Sequence, residues 1–212
     1  MTLPANKLIT INDRGARAAT TFGSVAAVGG NMVFIKKLTA SSSGTLSFVD
    51  GASGVVLDDT YKKYVFTFKD IHPATDGAYL TFNMSVDSGS NYNVTKTTAA
   101  FVAYHSEGDA SGLQYDANGD LAQSTDFQRL TTQSIGNDND QCGAGTLTLF
   151  NPSSTTFVKH FISRNAATNP SDYFNDAYVA GYGNTTSAVD AIQFKMDTGN
   201  IDAGDICLYG IL

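Results

Sequence analysis

The run KYVFTFKDI at residues 63–71 constrains the fold more than any other stretch of the chain. Tyr64, Phe66 and Phe68 alternate there with Lys63, Val65, Thr67 and Lys69. Successive side chains of a strand point to opposite faces, so this spacing gathers three aromatic rings on one side of a sheet. A face of that kind is buried against a second layer. Residues 79–86 repeat the pattern, with Leu80, Phe82, Met84 and Val86 expected inward and Tyr79, Thr81, Asn83 and Ser85 outward. The turn-forming DSGSN at 87–91 then predicts a hairpin whose second strand begins near Tyr92.

Shorter alternating runs bounded by Gly, Asn, Asp, Ser or Pro predict strands at 31–40, 45–49, 99–105, 146–150, 156–163, 176–181, 188–196 and 205–211, about ten in all. Residues 106–141 have no clean period and read as a long surface connection, with a short strand or turn near 127–130. Composition points the same way. Charged residues make up 16% of the chain, against roughly 25% in an average soluble domain, and 42 positions are Ser or Thr. Long solvated helices would bring in Lys, Glu and Arg. The expected fold is all-β, an antiparallel β-sandwich of jelly-roll-like form spanning residues 31–212.

Residues 1–30 differ from the remainder. Ala, Gly, Thr and Ser dominate 15–30, which leaves too little apolar bulk for a core. The segment reads either as a disordered tail or as an extended docking arm that orders against a partner. In the second reading Arg14, Arg17 and Phe22 are its contact residues.

Charge and motifs remove several classes of function. The formal net charge is −7 and the basic residues are scattered, so binding nucleic acid through counterion release lacks its raw material. No apolar stretch reaches the ~18 residues that span a bilayer, and Asn12, Asp13, Arg14 and Arg17 interrupt the place where a secretory signal keeps its apolar run. Cys142 and Cys207, far apart and outside any zinc or CxxC spacing, read as buried reduced thiols rather than a disulfide. The GxSxG elbow, GxGxxG and the Walker loop are all missing. Neither Asp58-Asp59 nor Asp138 with Asp140 suggests the paired carboxylates of glycoside hydrolysis. No catalytic residue or cofactor follows from the sequence.

Some local patterns remain open. Asp116, Asn118 and Asp120 place oxygen atoms at alternate positions, as a calcium loop does, but the Gly falls late and no Glu closes the loop. Residues 137–140 read as an Asx turn, with calcium as the lesser alternative. His72, before Pro73, reads as extended chain at a strand exit. His105 and His160 read as solvent-facing or satisfied in the core. Tyr92, Tyr104, Tyr115, Tyr173, Tyr178 and Tyr182 fall in or near expected loops, where an aromatic face with a polar tip suits sugar or protein contact. Asn83, Asn93 and Asn184 head Asn-x-Ser/Thr sequons.

Several blocks in order form a further pattern: LTASSS at 38–43, residues 61–68 leading into IHPATD at 71–76, and DSGSNY at 87–92. IGND at 135–138, LFNP at 149–152, residues 188–194 and residues 199–210 continue it. Over residues 38–212 this succession resembles the β-rich virion proteins of marine tailed bacteriophages, including those that infect cyanobacteria. The resemblance implies a non-enzymatic structural protein of the particle, and it supplies no catalytic residues. The expected role is a tail appendage component of the fibre, baseplate or nozzle type, assembled in the host cytoplasm as a symmetric oligomer, with a trimer favoured. Its arm would bind other virion proteins. The loop residues Tyr115, Asp116, Asn118, Asp120, Asn169 and Tyr173 would meet a host-surface glycan or a neighbouring subunit. A capsid decoration or head-fibre protein is the alternative within this class, and a carbohydrate-binding module is the alternative outside it.

Overall fold

The computed structural model describes Asn31–Leu212, and all regular structure among these residues is extended. The strands are β1 (Met32–Thr39), β2 (Leu46–Val49), β3 (Lys63–Pro73), β4 (Leu80–Ser85), β5 (Lys96–Ser106), β6 (Ser111–Tyr115), β7 (Gln128–Arg129), β8 (Gly143–Phe150), β9 (Lys159–Thr168), β10 (Tyr173–Gly183), β11 (Ala191–Met196) and β12 (Ile201–Ile211). They pair antiparallel in two sheets. One has eight strands in the order β1-β12-β3-β8-β9-β10-β5-β6, and the other has four in the order β2-β11-β4-β7. No helix of the described residues is long and apolar enough to cross a membrane. The arm residues Arg14, Arg17 and Phe22 lie outside the described residues.

The alternation read in residues 63–71 faces the core, with Tyr64 and Phe66 fully buried and Phe68 nearly so. Phe194 of β11 meets Phe66 and Phe68 of β3 at ring-centroid distances of 5.3 Å each, and Phe82 of β4 meets Phe161 of β9 edge-on at 4.9 Å. These contacts join the two sheets face to face. Such edge-to-face pairs contribute about 0.5–1.5 kcal/mol each beyond the area they bury.

Several expectations need correction. The hairpin from 79–86 into Tyr92 does not form, because β4 belongs to the four-stranded sheet while β5 lies in the other. After the turn at 87–91 the one main-chain bond back to β4 among the described residues is Val94 N–H donating to Met84 O. β10 offers β5 a partner for each of its eleven residues, and the six-residue β4 cannot. Nor is β4 polar-out: Thr81, Asn83 and Ser85 are buried along with Leu80, Phe82 and Met84, while Val86 is exposed. Residues 106–141 also contain β6 and β7, the second at the place where a short strand was expected. Cys142 and Cys207 are free but half-buried rather than buried.

Candidate functional site

The loop residues singled out from the sequence fall into two separate local structures. Asp116 is nearly buried, and its Oδ1 accepts from Asn118 N–H. Asp120 Oδ2 accepts a 2.5 Å hydrogen bond from the Tyr115 hydroxyl. Among the described residues, no group of three or more His, Cys, Asp or Glu is placed to hold a metal ion. Asn169 makes the turn between β9 and β10, its Oδ1 accepting from Ser171 N–H at 2.9 Å and Tyr173 N–H at 3.0 Å. The Tyr173 ring leans on Tyr104 at 6.0 Å. At 137–140 the chain turns through a main-chain bond, Gln141 N–H donating to Asp138 O, and Asn137 bonds residues 74 and 76 rather than its own backbone, so the expected Asx turn is not the bonding seen there. His72 is the penultimate residue of β3 and its Nε2 lies 3.3 Å from Asp138 O.

Tyr115, in contrast, belongs to a wider surface. The register places Tyr115, Phe101, Tyr178 and Arg164 in one row across β6, β5, β10 and β9. Phe101 and Tyr178 stack at 4.7 Å with planes 6° apart. Arg164 holds Asp176 through two hydrogen bonds of 3.0 and 2.7 Å, and its guanidinium lies 5.0 Å over the Tyr178 ring. Arg164 also holds the Asp176 carboxyl below the usual carboxylate range. The neighbouring positions Ala99, Ala103, Ala166 and Ala180 are small, while Phe101, Leu113, Tyr115, Ile162 and Phe174 stay exposed. Across β6, β5, β10 and β9 the outer face of the eight-stranded sheet is rich in exposed aromatic and apolar residues, with Arg164 and Asp176 paired to each other.

The outer face of the four-stranded sheet carries a cleft of about 400 Å³, lined by Thr81, Tyr92, Thr125, Asp126, Phe127, Arg129, Lys195 and Asp197. Arg129 and Lys195 both pair with Thr81, one from β7 and one from β11, so a row of three side chains crosses its floor. Arg129 lies 3.9 Å over the Tyr79 ring and Lys195 lies 4.4 Å over Phe127. Apart from Tyr92, the sequence reading missed these residues. Arg129 and Lys195 are remote in sequence and meet only through Thr81.

Beneath the walls of this cleft sits a buried polar junction. The fully buried Lys96 ammonium donates to Asn83 Oδ1 at 2.6 Å and Val94 O at 2.7 Å. Asn83 Nδ2 in turn donates to Tyr92 O at 2.7 Å and Thr125 O at 2.8 Å. One amide therefore ties two loops to β4, and its burial leaves the Asn83 sequon out of reach of glycosylation. Burial pushes the Lys96 amine down to about 7, opposed by the charge of Asp126.

That depression predicts a pH dependence. Above about pH 7 the unfolded chain keeps a proton on residue 96 that the folded chain releases, so stability rises with pH by up to ~1.4 kcal/mol per unit. Lys159, also lowered by burial, acts in the same direction. Cys142, raised by burial, opposes them only from the ordinary thiol range upward. Urea unfolding midpoints are expected to climb between about pH 7 and about pH 8.5, and Lys96→Met is expected to flatten the climb. An equal slope in the variant would remove Lys96 as its source.

No protein-family model matches the chain, and neither a curated protein nor a solved structure matches it.

Proposed function

We propose that the chain is a structural subunit of a bacteriophage particle, most consistent with a tail appendage, whose sandwich is a jelly roll that assembles into a symmetric oligomer, with a trimer favoured. The observation that carries the reading is the outer face of the eight-stranded sheet. Across β6, β5, β10 and β9 its exposed aromatic row is flanked by alanines, and the Arg164–Asp176 pair in that region is already neutralised within the subunit. A second copy of the chain can cover such a face without stranding a charge.

Strand order supports the jelly-roll part. With β5, β6, β9 and β10 set aside as additions, the remaining strands run β1-β12-β3-β8 in one sheet and β2-β11-β4-β7 in the other. First pairs with last and second with second-last, the return path of two nested Greek keys, an architecture used in capsid proteins among others. Fold alone does not assign function. The ordered sequence blocks, the low charge and the exposed aromatic face together favour a particle subunit over an enzyme.

Mass spectrometry of purified particles tests location. The chain is expected among the virion proteins, with a copy number that separates a tail part from a head part, and its consistent absence would overturn the reading. Native mass measurement of the purified chain tests assembly. The wild type is expected as an oligomer and Ile162→Asp as a monomer, since the charge would be buried in the contact. A monomeric wild type would count against assembly through this face.

A further inference from the structure

We infer that the cleft on the four-stranded sheet is a binding site for a carboxylated saccharide. Three features of the cleft lead there.

The first is a pair of cations held ready without a partner. Arg129 and Lys195 stand on either side of Thr81, two strand spacings or roughly 10 Å apart at the backbone. Stacking on Tyr79 and Phe127 fixes both charged groups, so little side-chain freedom remains to be lost when an anion arrives. Asp126 and Asp197 line the same cleft. Even so, among the described residues neither cation forms an ion pair, and each carboxylate holds a neighbour instead. Asp197 Oδ1 accepts from Tyr79 N–H at 2.9 Å and Asp126 Oδ2 from the Ser124 hydroxyl at 2.8 Å.

The second is the presence of those two carboxylates. A compact multiply charged anion such as phosphate would be drawn to the cations and repelled by the acids that line the same cleft. A sugar acid matches both signs: its carboxylate meets Arg129 and Lys195, and its hydroxyls donate to the remaining oxygen atoms of Asp126 and Asp197. The net charge of −7 works against capture of anions by the protein as a whole. Any anion bound here is bound by local geometry.

The third is size and rigidity. A cleft of about 400 Å³ lies toward the small end of ligand sites and suits one or two sugar rings rather than a long polymer. Its walls do not need ordering on binding, since Asn83 anchors Tyr92 and Thr125 from below. The hydroxyl of Thr81 donates to Lys195 O at 2.9 Å and so presents only acceptor capacity to the cleft.

This inference rests on the particle reading only for the source of the saccharide, a host surface. Its test uses the purified full chain, so a failure here and an absence from particles are separate results. Isothermal titration with D-glucuronate is expected to show saturable binding, with D-glucose and inorganic phosphate each weaker by about tenfold or more. Arg129→Gln and Lys195→Gln, on different strands, are each expected to weaken glucuronate by about tenfold while retaining the wild-type melting temperature. Loss in either folded variant supports the site. No saturable glucuronate binding, undiminished binding in both variants, or phosphate binding as tight as glucuronate would overturn it.

Discussion

Replacing Phe194 with alanine is expected to cost about 3–5 kcal/mol, the range for emptying a buried aromatic site. Phe194 is fully buried and touches rings from both sheets: Phe66 and Phe68 across the core, and Phe48 and Phe82 on its own sheet at 6.2 and 6.4 Å. Each neighbour is held by its own ladder of backbone hydrogen bonds, so the site cannot collapse around the missing ring. Phe194→Leu, which keeps much of the volume, is expected to cost about 1–1.5 kcal/mol. Equilibrium denaturation of the two variants checks both values. An alanine cost below about 1.5 kcal/mol would mean that the two sheets slide together and that packing here is not specific.

Gly204→Ala is expected to be the second severe change, at about 2–5 kcal/mol. Its φ is +121°, a conformation that side chains rarely adopt, and residues forced into sparsely populated regions cost about 1–3 kcal/mol. A Cβ there would also lie 2.6 Å from Asp70 O and 2.9 Å from Ile71 Cα. Both obstacles are backbone atoms of the paired strand, so relief requires moving β3 itself. The position lies where the β12–β3 register shifts between Ala203 and Asp205, opposite the shift in β3 between Phe68 and Ile71. Gly51→Ala serves as the comparison. Its φ is +74° with no atom within 4 Å of the added carbon, so only conformational strain remains, about 1 kcal/mol. Equal losses in the two variants would show that the close approach at Gly204 contributes nothing.

The parts of the fold that were legible in the sequence are those whose signal is local. Strand β3 was expected over 63–71 and runs Lys63–Pro73, because alternate rings buried in a core leave a period that survives in the chain. Strand β6 left no such trace. It lies at the edge of its sheet, with Ser111, Leu113, Gln114 and Tyr115 exposed and only Gly112 half-buried, so nothing forces its residues to alternate. Strand β4 misled in the other direction. Its polar positions alternate as though they met water, yet Asn83 is buried because Lys96, Tyr92 and Thr125 supply the partners that water would otherwise provide.

The candidate surfaces divide in the same way. Tyr115 and Tyr178 are visible as candidate contact residues in the sequence, but their membership in one row depends on β6 and β10 both pairing with β5. The cleft was invisible for a related reason. Arg129 sits in a two-residue strand and Lys195 in a distant one, and nothing in either neighbourhood signals the other. Sequence alone determined that the chain is built of strands, where most of them lie and which side chains face inward along the clearest one, because period and turn chemistry act over a few residues. Only the tertiary structure decided which strands pair, that Lys96 and Asn83 share a buried bond, and that two cations flank Thr81. Hydrogen-bonding strand edges are chemically alike along the chain, and the choice among them is made by the packing of the whole domain.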